Sequence, residues 1–195
     1  MKNYIVTAYY TIDTFYEKHA RTFTASLEKF SIPYHLERVA NLGSWLRNTG
    51  YKPTFLKQMM LKYPGKNIVY VDVDAEFLRY PELFENFEGD VGVYVFDRSC
   101  YRNPGDKLTE VLSGTIFLRN IEKVRNIVDD WIIIQARSPS EWDQRTLEAV
   151  LNGDFTVLPG EYCKIFDRQD EITDPVIVHY QASRAIRSKR QSVAK

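Results

Sequence analysis

The sequence predicts an α/β protein whose central sheet is mixed but mostly parallel, with helices flanking it. Three observations carry this expectation. Short β-prone runs such as Tyr4-Ile5-Val6-Thr7-Ala8-Tyr9 and Ile68-Val69-Tyr70-Val71 are apolar on both faces, as strands covered by helices on either side must be. These runs alternate with longer stretches whose apolar residues recur at helical spacing. A length of 195 residues, 44% of them hydrophobic, supplies one well-cored domain but would be cramped as two.

The elements follow in order. Residues 4–9 form the first strand. Residues 14–30 carry Phe15, Ala20, Phe23, Leu27 and Phe30 at helical spacing, and Pro33 closes that helix. A second short strand covers 34–39. Residues 41–51, with Gly43, Asn48 and Gly50, read as a loop. The next helix begins at Lys52-Pro53, because proline suits a first helical turn. Phe55, Leu56, Met59 and Met60 make its apolar face, and Pro64-Gly65 stops it. Residues 68–71 are a buried strand running straight into Asp72-Val73-Asp74. A strand at 90–96, a polar loop at 97–109 and a strand at 114–118 come next. Helices over 121–136 and 141–151 and short strands at 156–158 and 176–178 complete the ordered part. The expected organisation is a single domain over residues 1–184 and a flexible basic tail over 185–195.

Charge and cysteine usage narrow the function classes. Lys and Arg together number 26, as do Asp and Glu, so no global field favours nucleic acid or an acidic membrane. The balance is local: Arg184, Arg187, Lys189, Arg190 and Lys195 sit near the C-terminus with no acid among them. A solvated tail accounts for this, and so does contact with an anionic membrane surface. Two cysteines, Cys100 and Cys163, make no disulfide framework. With neither a charged-then-apolar leader nor an apolar run of membrane-spanning length, the expectation is a soluble cytoplasmic protein.

The feature richest in chemistry is Asp72-Val73-Asp74. Strand alternation would put the two carboxylates on one face and Val73 on the other. Close carboxylates both stay ionised only with a cation or donors between them, and hard oxygen ligands suit Mg²⁺ or Mn²⁺. A solvated acidic turn would also satisfy the sequence. So would a haloacid-dehalogenase-type phosphatase with Asp72 as nucleophile. That pattern, however, lies near the N-terminus and continues through small residues, whereas Ala75-Glu76-Phe77 follows here.

The segment Ile68-Val69-Tyr70-Val71-Asp72-Val73-Asp74-Ala75 resembles the DxD segment of GT-A glycosyltransferases. It is most similar to nucleotide-diphospho-sugar transferases of glycosyltransferase family 8. The neighbours extend the likeness: Lys52-Pro53 with Phe55-Leu56 upstream, residues 112–120 downstream, then Trp142-Asp143-Gln144 and His179-Tyr180. The resemblance implies a GT-A, Rossmann-like fold, a UDP-sugar donor, an acceptor hydroxyl and retention of configuration. Its implied metal set is Asp72, Asp74 and His179. Imidazole in that set favours Mn²⁺ over Mg²⁺.

Each remaining position carries a structural alternative beside the functional one. His179 ends an apolar strand and could be structural. Lys52 stands at a helix start, where anions are favoured, and the resemblance puts it near the donor phosphate or sugar; an exposed lysine is the alternative. Ser113-Gly114 is a bulge or, by resemblance, the floor under the donor sugar. Asp143 could complete a capping box begun by Ser140, or with Gln144 bind sugar hydroxyls near the anomeric carbon. Tyr9, Tyr10 and Thr11 follow the first strand and suit a nucleobase, although core packing uses at least one ring. Family members commonly follow the histidine with Lys-Pro-Trp. This chain has Tyr180-Gln181-Ala182-Ser183-Arg184, leaving Arg184 as the candidate phosphate contact. An inverting outcome would need a base beside the acceptor hydroxyl, for which Asp97 or Asp143 could be recruited.

Overall fold

A computed structural model describes residues 2–12, 14–99 and 108–184 of the chain. Six strands form the main sheet: β1 (Tyr4–Thr11), β2 (Tyr34–Val39), β3 (Asn67–Val71), β5 (Val91–Asp97), β6 (Thr109–Leu118) and β7 (Thr156–Val157). Their spatial order is β2-β1-β3-β6-β5-β7. β1 pairs in parallel with β2 and β3, and β5 with β7, while β6 runs antiparallel to both its neighbours. One reversed strand therefore interrupts a sheet whose other strands share a direction. A second sheet joins β4 (Ala75–Phe77), β9 (Ile177–His179) and β8 (Lys164–Ile165) in the order β4-β9-β8.

Both faces of β1 and β3 are buried, as their apolar runs require. Along β1, Tyr4, Val6 and Ala8 enter one core, where α1 (Thr14–Lys29) contributes Ala20, Phe23 and Leu27 and the small sheet contributes Phe77 and Ile177. Ile5 and Tyr9 enter the other core, covered by α3 (Lys52–Lys62), α4 (Glu122–Arg137) and α5 (Asp143–Leu151). A period-two strand thus feeds two separate cores, the arrangement that makes buried strands read as continuous apolar runs.

Several boundaries differ from the sequence expectation. Residues expected as a loop hold a short helix, α2 (Trp45–Gly50), started by Ser44, whose side chain accepts from the Arg47 backbone N–H. That helix has no buried residue, so no apolar stripe announces it. β6 begins at Thr109 rather than Gly114. β4 and β8, three and two residues long, are too short to show a period. Cys100 and the basic residues of 185–195 lie outside the described residues. Among the described residues, no helix is long and apolar enough to cross a membrane.

Candidate functional site

The two sheets meet at the acidic pair. β3 ends at Val71, and Asp72 to Asp74 leave strand geometry in a tight turn closed by Ala75 N–H donating to the Asp72 carbonyl at 3.0 Å. The Asp72 N–H donates to the Gly114 carbonyl of β6 at 2.8 Å, and the Asp74 carbonyl accepts from Tyr180 just beyond β9 at 2.9 Å. The turn is therefore stretched between the main sheet and the small one. Val73 points into the core, as alternation anticipated, but a turn rather than a continuing strand brings the carboxylates together.

His179 closes β9, with Ala75 and Ile165 as its strand partners on either side. One ligand-type atom each from Asp72, Asp74 and His179 lies within 4.8 Å of the others. Burial of its carboxyl, reinforced by repulsion from Asp72, pushes Asp74 up from 3.8 to about 7, although the Ala182 N–H donates to it at 2.7 Å. Burial lowers His179 to about 4 despite the nearby Asp72 charge, so its imidazole is neutral at pH 7. A crowded carboxylate pair beside a neutral imidazole is a donor set that a hard divalent cation fits. Gly114 leaves the room: a Cβ there would sit 3.2 Å from His179 Nδ1 and 3.4 Å from Asp72 Oδ2.

The second group centres on Lys52, only 3% exposed at the start of α3. Its ammonium contacts Asp143 Oδ2 at 2.6 Å and Asp72 Oδ1 at 3.2 Å. It also donates to the Ser113 carbonyl at 3.0 Å and hydroxyl at 3.2 Å. Burial alone would lower the Lys52 pKa, but Asp143 and Asp72 outweigh it and raise it. Ser113 Oγ donates to Asp143 Oδ2 at 2.8 Å, and the Ser113 N–H donates to Gln144 Oε1 at 3.4 Å. Gln144 in turn donates to Glu110.

The capping box that stood as the structural alternative at Asp143 is not formed. α5 starts at Asp143 with Trp142 as its N-cap and no side-chain cap bond, because the Asp143 carboxylate is drawn across to Lys52 instead. Nor is Lys52 exposed. At Ser113-Gly114 the structural alternative, a bulge, is present: the β5 partners jump from Ile116 to Leu112, freeing Ser113, Gly114 and Thr115 from that pairing. This released segment touches every part of the site. Ser113 meets the Lys52–Asp143 pair, Gly114 faces Asp72, and Thr115 Oγ1 lies 2.9 Å from His179 Nε2.

Lys52, Asp72, Asp74, residues 113–115, Asp143 and His179 open on one cavity of about 310 Å³, also lined by Tyr9, Tyr10, Thr11, Gln144 and Arg184. Tyr9 is mostly committed elsewhere: its ring packs on Tyr51, Phe55 and Tyr70, and its hydroxyl donates to the Asn48 carbonyl at 2.7 Å. Tyr10 is half-buried at the cavity edge, and Thr11 is buried. Arg184 Nη1 contacts both Asp167 oxygens, at 3.0 and 2.8 Å. Asp97 is absent from the described lining; it is exposed, and the Ser99 N–H lowers its pKa.

Sequence reasoning missed Tyr70, Thr115, Trp45 and Trp142. Tyr70 donates to Asp72 Oδ1 at 2.8 Å and lies under the Lys52 ammonium, 4.6 Å from ring centroid to nitrogen. Its position two residues before Asp72, on the same strand face, was the available signal. Trp45 and Trp142 meet edge to face at 6.1 Å along the cavity wall, a pairing of α2 with the start of α5 that no local pattern announces.

The sheet order, the reversed β6 and the cavity at the strand ends define a GT-A nucleotide-sugar transferase fold, and solved structures agree. A glycosyltransferase involved in glycosylation of the major capsid of PBCV-1 superposes with a TM-score of 0.67 at 14% identity, covering 95% of this chain and 98% of that one. The galactosyltransferase LgtC, solved with donor and acceptor sugar analogs, gives 0.62 at 10% identity over 91% and 87% of the two chains. The glycosyltransferase GlyE of Streptococcus pneumoniae TIGR4 gives 0.60 at 19% identity over 92% of this chain and 55% of that one, so this chain spans about half its length. No curated protein sequence matches the chain. The family model for nucleotide-diphospho-sugar transferases matches residues 43–193, and the chain belongs to that family.

Proposed function

We propose that the protein is a metal-dependent glycosyltransferase, similar to glycosyltransferase family 8, that moves a hexose from a UDP donor to an acceptor hydroxyl with retention. Residues 1–184 form its single catalytic domain. One observation carries the reading: the Asp72, Asp74 and His179 cluster and the Lys52–Asp143–Ser113 network face the same cavity and share Asp72. The two groups adjoin through Asp72 in one cavity, which supports a single diphosphate-linked sugar engaging both.

Asp72, Asp74 and His179 would hold Mn²⁺ or Mg²⁺, and the imidazole favours Mn²⁺. Such a cation, when bound, neutralises negative charge developing on a leaving diphosphate. Asp143 and Gln144 bind the hydroxyls of the transferred sugar and hold its anomeric carbon toward the acceptor. Ser113 and Gly114 form the floor under it. Lys52 fixes Asp72 and Asp143 relative to one another, so the cation and sugar pockets keep their spacing. Tyr10 and Thr11 face the nucleobase, with Tyr9 behind them. Arg184 takes a phosphate oxygen on exchanging its Asp167 partner for the donor.

Retention is favoured by the state of the carboxylates. Those lining the described cavity are Asp72, Asp74 and Asp143, and Asp143 is held in an ion pair with Lys52. Asp72 and Asp74 are given to the proposed cation site and Asp143 to Lys52, which supports a reaction that recruits no separate base beside the acceptor hydroxyl. The test is release of UDP from UDP-glucose and UDP-galactose in Mn²⁺, with and without simple glycoside acceptors. Turnover that Asp143→Asn abolishes is the expected result. Tight binding of UDP and Mn²⁺ with no turnover of any donor would instead identify a non-catalytic nucleotide-sugar binder.

A further inference from the structure

We infer that Thr115 is a positioning residue that fixes the tautomer of His179, so that Nδ1 presents its lone pair to the cation site. The inference rests on the metal reading above for its purpose, but its geometry stands alone. Thr115 is 1% exposed, and its hydroxyl meets a backbone carbonyl, an imidazole nitrogen and the buried Cys163 thiol. The Tyr162 carbonyl lies at 3.0 Å and His179 Nε2 at 2.9 Å.

A hydroxyl carries one proton, and a carbonyl can only accept. Burial keeps the Cys163 thiol protonated, so it needs no proton from Thr115, and the Thr115 proton goes to the Tyr162 carbonyl. Were it given to His179 instead, two buried oxygens would face each other at 3.0 Å with no proton between them. With the proton on the Tyr162 side, the contact to His179 needs a donor from the ring, so Nε2 carries the hydrogen. Neutral imidazole has one N–H, which leaves Nδ1 bare.

The ring is oriented to use that lone pair. A Cβ at Gly114 would be 3.1 Å from His179 Cε1, 3.2 Å from Nδ1 and 3.4 Å from Asp72 Oδ2, so the Cε1–Nδ1 edge of the ring and Asp72 border the same small space. Nε2 faces Thr115 at the back. Metal-bound histidines generally give their second ring N–H to an acceptor that fixes the tautomer, and loss of such a partner costs about 10- to 100-fold in metal affinity. Here the partner is a hydroxyl whose own direction is set by a backbone carbonyl. The 3₁₀ turn at Gly160–Tyr162, which supplies that carbonyl, thus takes part in the site without touching ligand.

Long-range ¹H–¹⁵N NMR of His179 in the metal-free protein at pH 7.5 reads the tautomer directly, and Mn²⁺ titration reads its consequence. The wild type is expected in the Nε2–H form. Thr115→Val, which keeps the shape and removes the hydroxyl, is expected to populate the Nδ1–H form and bind Mn²⁺ about 10- to 100-fold more weakly. Thr115→Ser is expected to restore both signals. An Nδ1–H tautomer in the wild type, or unchanged tautomer and affinity in Thr115→Val, overturns the inference while leaving the metal reading intact. Failure of the wild type itself to bind Mn²⁺ overturns both, and is seen before any variant is compared.

Discussion

Replacing Asp74 by asparagine should make the metal-free protein more stable while removing its response to metal. The elevation of Asp74 from 3.8 to about 7 is led by burial and then by the Asp72 charge. At about 1.36 kcal/mol per tenfold change in acidity constant, this corresponds to ~4 kcal/mol against the ionised form at neutral pH and above. Asp74 is half-buried rather than enclosed, and solvent screening reduces the figure to ~2 kcal/mol. The folded carboxyl keeps its proton to higher pH than the unfolded one. Wild-type stability without metal should therefore fall as pH rises from about 4 to about 7 and stay low above it. An asparagine carries no charge, and its carbonyl can still accept from the Ala182 N–H. For a chain of this size ~2 kcal/mol is worth ~4–8 °C. Thermal unfolding in EDTA at pH 8 should show the Asp74→Asn variant melting higher than wild type by that amount, with the gap closing toward pH 4. Added Mn²⁺ should raise the wild-type midpoint and leave the variant unchanged. A variant that melts lower in EDTA, or that still responds to Mn²⁺, would refute the reasoning.

Other perturbations separate the parts of the site. Lys52→Met leaves the buried Asp143 carboxylate without its ion-pair partner and should cost ~3–5 kcal/mol in urea unfolding, together with donor turnover. Gly114→Ala puts a methyl 3.1 Å from His179 Cε1 and should lower Mn²⁺ affinity at least about tenfold, by titration, with a far-UV spectrum like wild type. Arg184→Ala releases only the half-exposed Asp167, so thermal stability should move by less than ~1 kcal/mol. If Arg184 engages a donor phosphate, the same variant should raise KM for the UDP-sugar about tenfold.

The legible part of this protein was whatever a local pattern could encode. Buried strands β1 and β3 announce themselves as apolar runs, and Pro53 marks the start of α3, which places Lys52 correctly in sequence. The acidic pair is visible because it interrupts such a run. Burial of Lys52 was not visible, since it depends on Ser113 and Asp143, which come from β6 and α5 and are distant in sequence. The capping-box alternative at Asp143 is not realised for the same reason. A long-range lysine charge outcompetes the weak local donors of a helix end. α2 has no buried face and β4 and β8 have no measurable period, so only tertiary pairing defines them. Thr115 looked like any β-branched strand residue until the fold brought Tyr162 and His179 to its hydroxyl.

The central claim is that the Asp72, Asp74 and His179 cluster and the Lys52–Asp143 pocket bind one nucleotide sugar through one cation. A thermal-shift panel of nucleotide sugars, each run in Mn²⁺ and in EDTA, addresses it most directly. A ligand at about a hundredfold excess over its Kd adds ~2.7 kcal/mol to the folded state, or ~5–10 °C here. A shift of that size for a UDP-hexose in Mn²⁺, absent in EDTA and absent in Asp74→Ala, is the expected outcome. Equal shifts with and without metal, or none for any nucleotide sugar, would contradict the account.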